Sequence, residues 1–185
     1  ADSIETEKRL SSLLSEYPDR KCKIYLLHGD LKSSQMTWLY QHPKINSLIN
    51  ISHGEGFGLP MFEAVRESLP IITVGWSGQL DFLYHEGTNY FQEVKCTMGP
   101  IQKEAVWPGV LEENSMWAFA DQGSYKMALR KALKEKTKNK KTAKKIKDIV
   151  SKKFSDEKLY KGFVDEVLGF DSSTVQLEEE VLEFD

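Results

Sequence analysis

Two carboxylates and three glycines fall within one short stretch, His53-Gly54-Glu55-Gly56-Phe57-Gly58-Leu59-Pro60-Met61-Phe62-Glu63. Glycines let a backbone take unusual dihedrals and approach a ligand closely. Proline is favoured at the first position of a helix, so Pro60 predicts a helix start. The first turn of such a helix offers unpaired backbone N–H groups and a positive dipole end, a seat for phosphate. An ionised carboxylate only accepts hydrogen bonds, and the vicinal hydroxyls of a sugar present two donors side by side. Glu55 before the phosphate seat and Glu63 after it, with seven residues between them, suit two polyols on either side of a diphosphate. A nucleotide sugar has that arrangement. The plainer reading is a structural turn in which Glu63 complements the helix dipole. The residue types by themselves leave both readings open.

The flanking elements set where this stretch sits. Apolar spacing predicts a helix over 3–16 (Ile4, Leu10, Leu13, Leu14), ended by Tyr17-Pro18, and another at about 34–41 (Met36, Leu39, Tyr40). Continuous apolar runs predict strands at 23–28, 47–51 and 70–74, with a weaker one at 90–94. The helix from Pro60 carries Phe62, Ala64 and Val65. Further helices are expected at 124–136, at about 142–153, and at 156–168 behind a Ser155-Asp156 cap. Between them, 95–123 reads as a long, partly ordered excursion. Strands alternating with helices predict an α/β fold with a Rossmann-like doubly wound parallel sheet and helices on both faces. The motif then joins the carboxyl end of a strand to the amino end of a helix, where open sheets bind ligands.

The chain has 185 residues, which suits one domain over 1–170 followed by an acidic tail, 171–185, either docked or disordered. With 40% apolar and 29% charged residues it can bury a core, and no stretch approaches the ~18 to 20 apolar residues of a membrane span. The net charge of -3 conceals a basic stretch, 126–153, with thirteen Lys or Arg against Glu135 and Asp148. That stretch reads as a solvated outer face, with contact to an anionic membrane as an alternative. Sparse aromatic residues there argue against single-stranded nucleic acid, and no nucleic-acid partner is expected. Cys22 and Cys96 are too few for a disulfide framework and fall in expected strands, so two buried thiols in a reducing, cytoplasmic compartment are expected. His28, His42 and His85 lack metal-ligand spacing, and no metal site is predicted. His53 either packs locally or reaches the sugar or phosphate. The first residues are too polar for a signal peptide.

Glu55-x7-Glu63 with Gly-Phe-Gly-Leu-Pro inside it resembles the signature of the retaining GT-B glycosyltransferases of the large family 4-like group. The resemblance continues through Glu63-Ala-Val-Arg-Glu-Ser-Leu-Pro-Ile-Ile-Thr-Val-Gly-Trp-Ser-Gly-Gln-Leu-Asp81. Upstream, Leu27-His28-Gly29-Asp30 is similar to the family's strand and base-binding turn. Downstream, Trp117-Ala-Phe-Ala-Asp121 and the helix after it are similar to its closing elements. The similarity is close over 22–94 and loose over 115–168. It implies the nucleotide-sugar donor domain, one half of a GT-B fold, whose partner is an N-terminal acceptor-binding domain. It also implies a metal-independent transfer of a hexose, with retention, from a UDP- or GDP-sugar to a hydroxyl acceptor.

Carried over by position, Glu55 becomes the catalytic-site carboxylate that holds the transferred sugar. His53, Gly54, Gly56, Phe57, Gly58 and Leu59 border the donor's sugar and diphosphate. Glu63 takes the ribose, and Gly29, Asp30 and Leu31 border the nucleobase. The family's basic pair on the diphosphate has no counterpart here, since Lys8-Arg9 lies in an amphipathic helix. Such domains also open with a strand, whereas this sequence opens with a helix and without an initiator Met. The first strand and the basic pair are therefore expected upstream, and little transfer is expected from this chain alone. The rivals are a non-catalytic nucleotide- or carbohydrate-binding module, a hydrolase using Glu55 and Glu63 as acid and base, and, more weakly, a phosphorylase, for which no pyridoxal-lysine context is evident.

Overall fold

The computed structural model describes residues 3–169. The chain divides into two compact units, Ala1–Met36 and Thr37–Asp185.

The first unit opens with helix α1, Ser3–Ser15, as the apolar spacing predicted. Glu5 pairs with Arg9 one turn later, the favourable order along a helix. Pro18 cannot continue the helix, and Arg20 Nη1 donates to the carbonyls of Leu14 (3.1 Å) and Tyr17 (3.3 Å), which also accept from the amides of Tyr17 and Arg20 in the turns that follow. The strand predicted at 23–28 does not form. Ile24, Tyr25, Leu26 and Leu27 are exposed, Tyr25 to 82%, and no ladder includes them. An apolar run reports a tendency to be buried, but a strand also needs a neighbour's row of N–H and C=O groups. Cys22, expected to be buried in that strand, is exposed for the same reason. Helix α2, Ser33–Gln41, follows, with Thr37–Gln41 already in the second unit. Its start is marked by Gln35, whose side-chain oxygen accepts from the Lys32 amide at 2.9 Å, one half of a capping box.

The second unit is mixed α/β. Strands β1 (Leu48–Asn50), β2 (Ile71–Val74) and β5 (Gln92–Val94) form a parallel sheet in the order β1-β2-β5. Helix α3 (Leu59–Arg66) joins the first two. Helix α4 (Leu80–Leu83) and the hairpin β3–β4 (Tyr84–His85, Thr88–Asn89) lead to the third. Glu86 and Gly87 turn that hairpin with φ of 47° and 76°, the signs a two-residue type I′ turn requires. All four residues of β2 are buried, as its unbroken Ile-Ile-Thr-Val run implied. On one face Ile72, Val74 and Val94 pack with Ala128 and Ala132 of helix α5, Gln122–Lys134. α3 packs against β1, β2 and helix α6, Lys136–Lys153. It closes on a Schellman turn: Ser68, at φ 58°, gives its amide to Val65 O, and Leu69 gives its amide to Ala64 O, both at 2.9 Å.

Three expectations change. Residues 95–123 are largely ordered as an antiparallel ribbon, β6 (Cys96–Pro100) against β7 (Met116–Ala120), with a 3-10 turn at Lys103–Ala105 in the connection. Gly99, which reads as a breaker, is where the Phe119 ring lies: a Cβ there would be 3.0 Å from it. Cys96, on β6, is half-buried, and burial together with the charge of Glu93 pushes its thiol upward. The helix expected from about 142 begins six residues earlier, because lysine supports a helix without any apolar spacing to advertise it. Within α6, buried Asn139 accepts from Gln92 Nε2 (2.9 Å) and donates to Ala132 O (3.2 Å).

Asp121 caps α5 by accepting from the Ser124 amide at 2.6 Å. Ser155 caps helix α7, Asp156–Leu168, by accepting from the Lys158 amide at 3.4 Å. α7 forms where its periodicity predicted, yet Tyr160, Phe163 and Val167 stay exposed. The acidic tail 171–185 lies outside the described residues. Among the described residues, no helix is long and apolar enough to cross a membrane.

Gly162 lies inside α7 with no heavy atom within 4 Å of where a Cβ would stand. Gly162→Ala is expected to stabilise α7 by about 0.5 to 1 kcal/mol. Thermal unfolding followed by helical circular dichroism checks this, and an unchanged or lowered midpoint counts against an open site.

Candidate functional site

The loop 51–58 leaves β1 and enters α3 at the carboxyl edge of the sheet. Its first fastening is Asn50, the last residue of β1. Asn50 Oδ1 accepts from the Ser52 amide (2.8 Å), and its Nδ2 donates to Glu55 Oε1 (2.7 Å). Ser52 Oγ donates to the same carboxylate oxygen at 2.9 Å. Glu55 is thus held through Oε1, leaving Oε2 without a partner among the described residues.

The second fastening comes from the loop after β2. Ser77 Oγ accepts from the Glu55 amide (2.9 Å) and donates to the Glu55 carbonyl (2.8 Å), which also accepts from the Gly78 amide (3.0 Å). Ser77 takes a left-handed φ of 82° to reach this position. Gly78 must be glycine, since a Cβ there would stand 2.0 Å from the Gly56 carbonyl oxygen. Fully buried Gln79 braces the loop from below. Its Nε2 donates to the carbonyls of Val74 (3.2 Å) and Trp76 (2.5 Å), and its Oε1 is buried without a partner. Its Cβ also lies 3.3 Å from where a Cβ on Gly58 would stand. Gly58 turns the chain into α3 at φ 88° and ψ 49°, and its carbonyl accepts from Met61 (2.9 Å) and Phe62 (3.0 Å).

This fastening leaves one group of atoms unused. Among the described residues the amides of Gly56, Phe57, Gly58 and Leu59 have no hydrogen-bond partner, and they stand at the positive end of α3. The Phe57 ring points elsewhere, into a cluster with Phe62, Phe82 and Phe154 at centroid distances of 5.2, 5.0 and 5.9 Å. It anchors the loop while its amide stays free. A Cβ on Gly56 would meet nothing within 4 Å, so the loop is open on that side.

The remaining predicted residues separate. His53 is half-buried, stacked on Trp117 (4.3 Å, 3°) and edge-on to Phe119 (5.0 Å). Its Nδ1 lies 2.7 Å from the Ala118 carbonyl, which can only accept, so the proton sits on Nδ1. Local packing and hydrogen bonding thus account for most of this side chain. Gly54 is exposed. Glu63 lies one turn into α3, and its Oε2 accepts from the Tyr40 hydroxyl at 3.4 Å. Glu55 and Glu63 share no hydrogen-bond partner. Gly29, Asp30 and Leu31 belong to the first unit, in a non-helical stretch with Gly29 at φ 148°. Asp81 is exposed in α4, and its carbonyl accepts from Lys153 Nζ at 2.7 Å.

Asn50, Ser52, Ser77, Gln79 and Tyr40 are the working residues that motif reading missed. Ser77 and Gln79 fall in the Gly75–Asp81 stretch at the end of a buried strand, which the motif comparison covered without giving either of them a role. Comparison of the chain with protein-family models, with curated proteins and with solved structures gave no match.

Gly78→Ala is expected to cost more than about 2 kcal/mol, because the new methyl meets backbone that cannot yield. Chemical denaturation checks this, and a cost near zero would show the loops are not clipped together. Tyr40 is expected to ionise above its ordinary value of 10.0, pushed up by burial first, then by the charge of Glu63 and by the hydrogen bond to it. The folded state holds this proton more tightly than the unfolded chain. Its contribution is therefore whole below about pH 10 and is lost as pH rises through the raised folded value. Ultraviolet titration against Tyr40→Phe should locate that transition, and Glu63→Gln should move it down.

Proposed function

We propose that the chain is the nucleotide-sugar donor-binding half of a retaining, metal-independent glycosyltransferase, built on a Rossmann-like doubly wound sheet as one half of a GT-B fold. The observation that carries this reading is the row of partnerless amides from Gly56 to Leu59 at the start of α3, beside a Glu55 carboxylate with one oxygen free. Backbone N–H groups in that arrangement are donors for a diphosphate, and a carboxylate next to them accepts from sugar hydroxyls. The parallel sheet, with the loop leaving its carboxyl edge, supports the same reading.

In this reading the amides bear on the departing diphosphate and stabilise the charge that grows there as the sugar–phosphate bond breaks. Glu55 orients the transferred hexose through hydroxyl hydrogen bonds and makes no covalent bond to it. The acceptor hydroxyl attacks from the leaving-group side, a diphosphate oxygen takes its proton, and configuration is retained. Glu63 holds the ribose diol, exchanging its long bond to Tyr40 for those hydroxyls. An N-terminal domain supplies the acceptor contacts.

Calorimetric titration with UDP, GDP and ADP tests the reading. One nucleotide is expected to bind saturably and weakly. Glu63→Ala should weaken it about tenfold, the loss of one or two hydrogen bonds to a charged group. Binding that ignores Glu63→Ala removes the ribose assignment. Absence of binding by all three, in this chain and in one extended upstream, removes the glycosyltransferase reading. Nucleotide binding with no sugar transfer by the extended chain leaves a non-catalytic binding module.

A further inference from the structure

A second concavity lies at the other edge of the sheet. β1 and β2 run parallel, so the loops leaving them share one edge, and the segments entering them, at Ile45–Asn46 and Ser68–Pro70, share the opposite one. A groove of about 560 Å³ opens at that entering edge. Tyr40, Ile45, Leu69 and Pro70 give it an apolar lining, and α6 supplies Lys136, Lys140, Lys141 and Lys144.

The lysines are placed by helical spacing. Lys136, Lys140 and Lys144 recur every four residues and stack in one row, while Asn139, Ala143, Ile146 and Val150 turn to the core. Eight residues of helix carry the row over about 12 Å. Like charges four apart on a helix repel. Nearby Lys138 has Glu135 at 3.5 Å, but among the described residues none of the four groove lysines makes an ion pair. The one carboxylate in the lining, Glu67, accepts from Gln41 Nε2 at 2.6 Å, and the lysines outnumber it four to one. His42 adds a donor. Its Nδ1 accepts from the Lys44 amide at 3.2 Å, which leaves the ring proton on Nε2.

We infer that this groove binds an oligophosphate, a ligand with two or more neighbouring phosphoryl groups, either free or as the headgroup of a lipid. A single phosphate reaches only part of a 12 Å row of charge, whereas consecutive phosphates can meet successive lysines. Single-stranded nucleic acid fits less well. Its bases need aromatic platforms, and the one tyrosine in the lining, Tyr40, is only 6% exposed. The site is separate from the amide row at α3 and stands whether or not that row binds a donor.

The test titrates the chain with inorganic tripolyphosphate and compares two double variants of equal charge change. Lys140→Gln with Lys144→Gln alters the groove, and Lys126→Gln with Lys152→Gln alters exposed positions that do not line it. All four residues are exposed, and circular dichroism confirms that each variant folds. Saturable binding is expected, weakened at least about tenfold by the groove pair, as loss of two charge-assisted bonds implies, and little by the control pair. A parallel arm measures cosedimentation with phosphatidylcholine vesicles carrying phosphatidylinositol 4,5-bisphosphate. Capture that the groove pair abolishes assigns the phosphates to a lipid headgroup. Tripolyphosphate binding without capture assigns them to a free ligand. Equal weakening by both pairs means diffuse charge rather than a site, and that result, or no saturable binding in either arm, overturns the inference.

Discussion

The closest constraint in the second unit is the approach of Gly78 to the carbonyl of Gly56, too tight for any side chain. It forces the loops after β1 and β2 into one layer, and the rest of the site follows from how their polar groups are then shared. Buried or half-buried backbone must find partners. The Glu55 carbonyl finds two of them in the loop after β2, Ser77 Oγ and the Gly78 amide. Gln79 takes up two more carbonyls beneath. With the acceptors satisfied inward, the donors left over are the amides at the start of α3. The free row is what the start of a helix leaves unpaired, and the aromatic cluster around Phe57 anchors the loop that carries it.

The end of α2 plays a similar part for the far side of α3. Tyr40 and Gln41 are consecutive, and each donates to one carboxylate, Tyr40 to Glu63 within that helix and Gln41 to Glu67 at its C-cap. Glu63 belongs to the proposed donor site, and Glu67 lines the lysine groove. Two adjacent residues therefore touch both concavities, one at each edge of the sheet. The two bonds differ in kind: the Gln41 contact is short, and the Tyr40 contact is long enough to be exchanged for a better one.

Much of this was legible in the residues. Ile71–Val74 announced a strand covered on both faces, and Pro60 announced the start of α3, because both signals are local and steric. The apolar run at 23–28 misled because burial and strand pairing are separate requirements, and sequence reports only the first. The ribbon of β6 and β7 was hidden by Gly99-Pro100, whose breaker character disappears once the Phe119 ring covers the glycine across the ladder. In the site, the glycines and Glu55 stood out, but their supports did not. Ser77 is an ordinary polar residue whose partner lies 22 positions away, a pairing no local spacing encodes, and Asn50 and Gln79 bond to neighbours two to six positions away in irregular backbone that has no period to read.

Three turns of the chain, at Ser68, Ser77 and Glu86, place side-chain-bearing residues at positive φ, where glycine is the usual occupant. Each holds roughly 1 to 2 kcal/mol of steric strain. At Ser77 the strain is inseparable from the hydroxyl that joins the two loops. Among the described residues no side-chain hydrogen bond is made at Ser68, and Glu86 makes only an exposed contact with His85 Nε2 at 3.6 Å. Glycine there would relax the folded backbone while adding freedom to the unfolded one, about 0.4 to 1 kcal/mol in opposition. The fold therefore holds a reserve of stability at two of these turns, and it has committed the third to keeping its loops together.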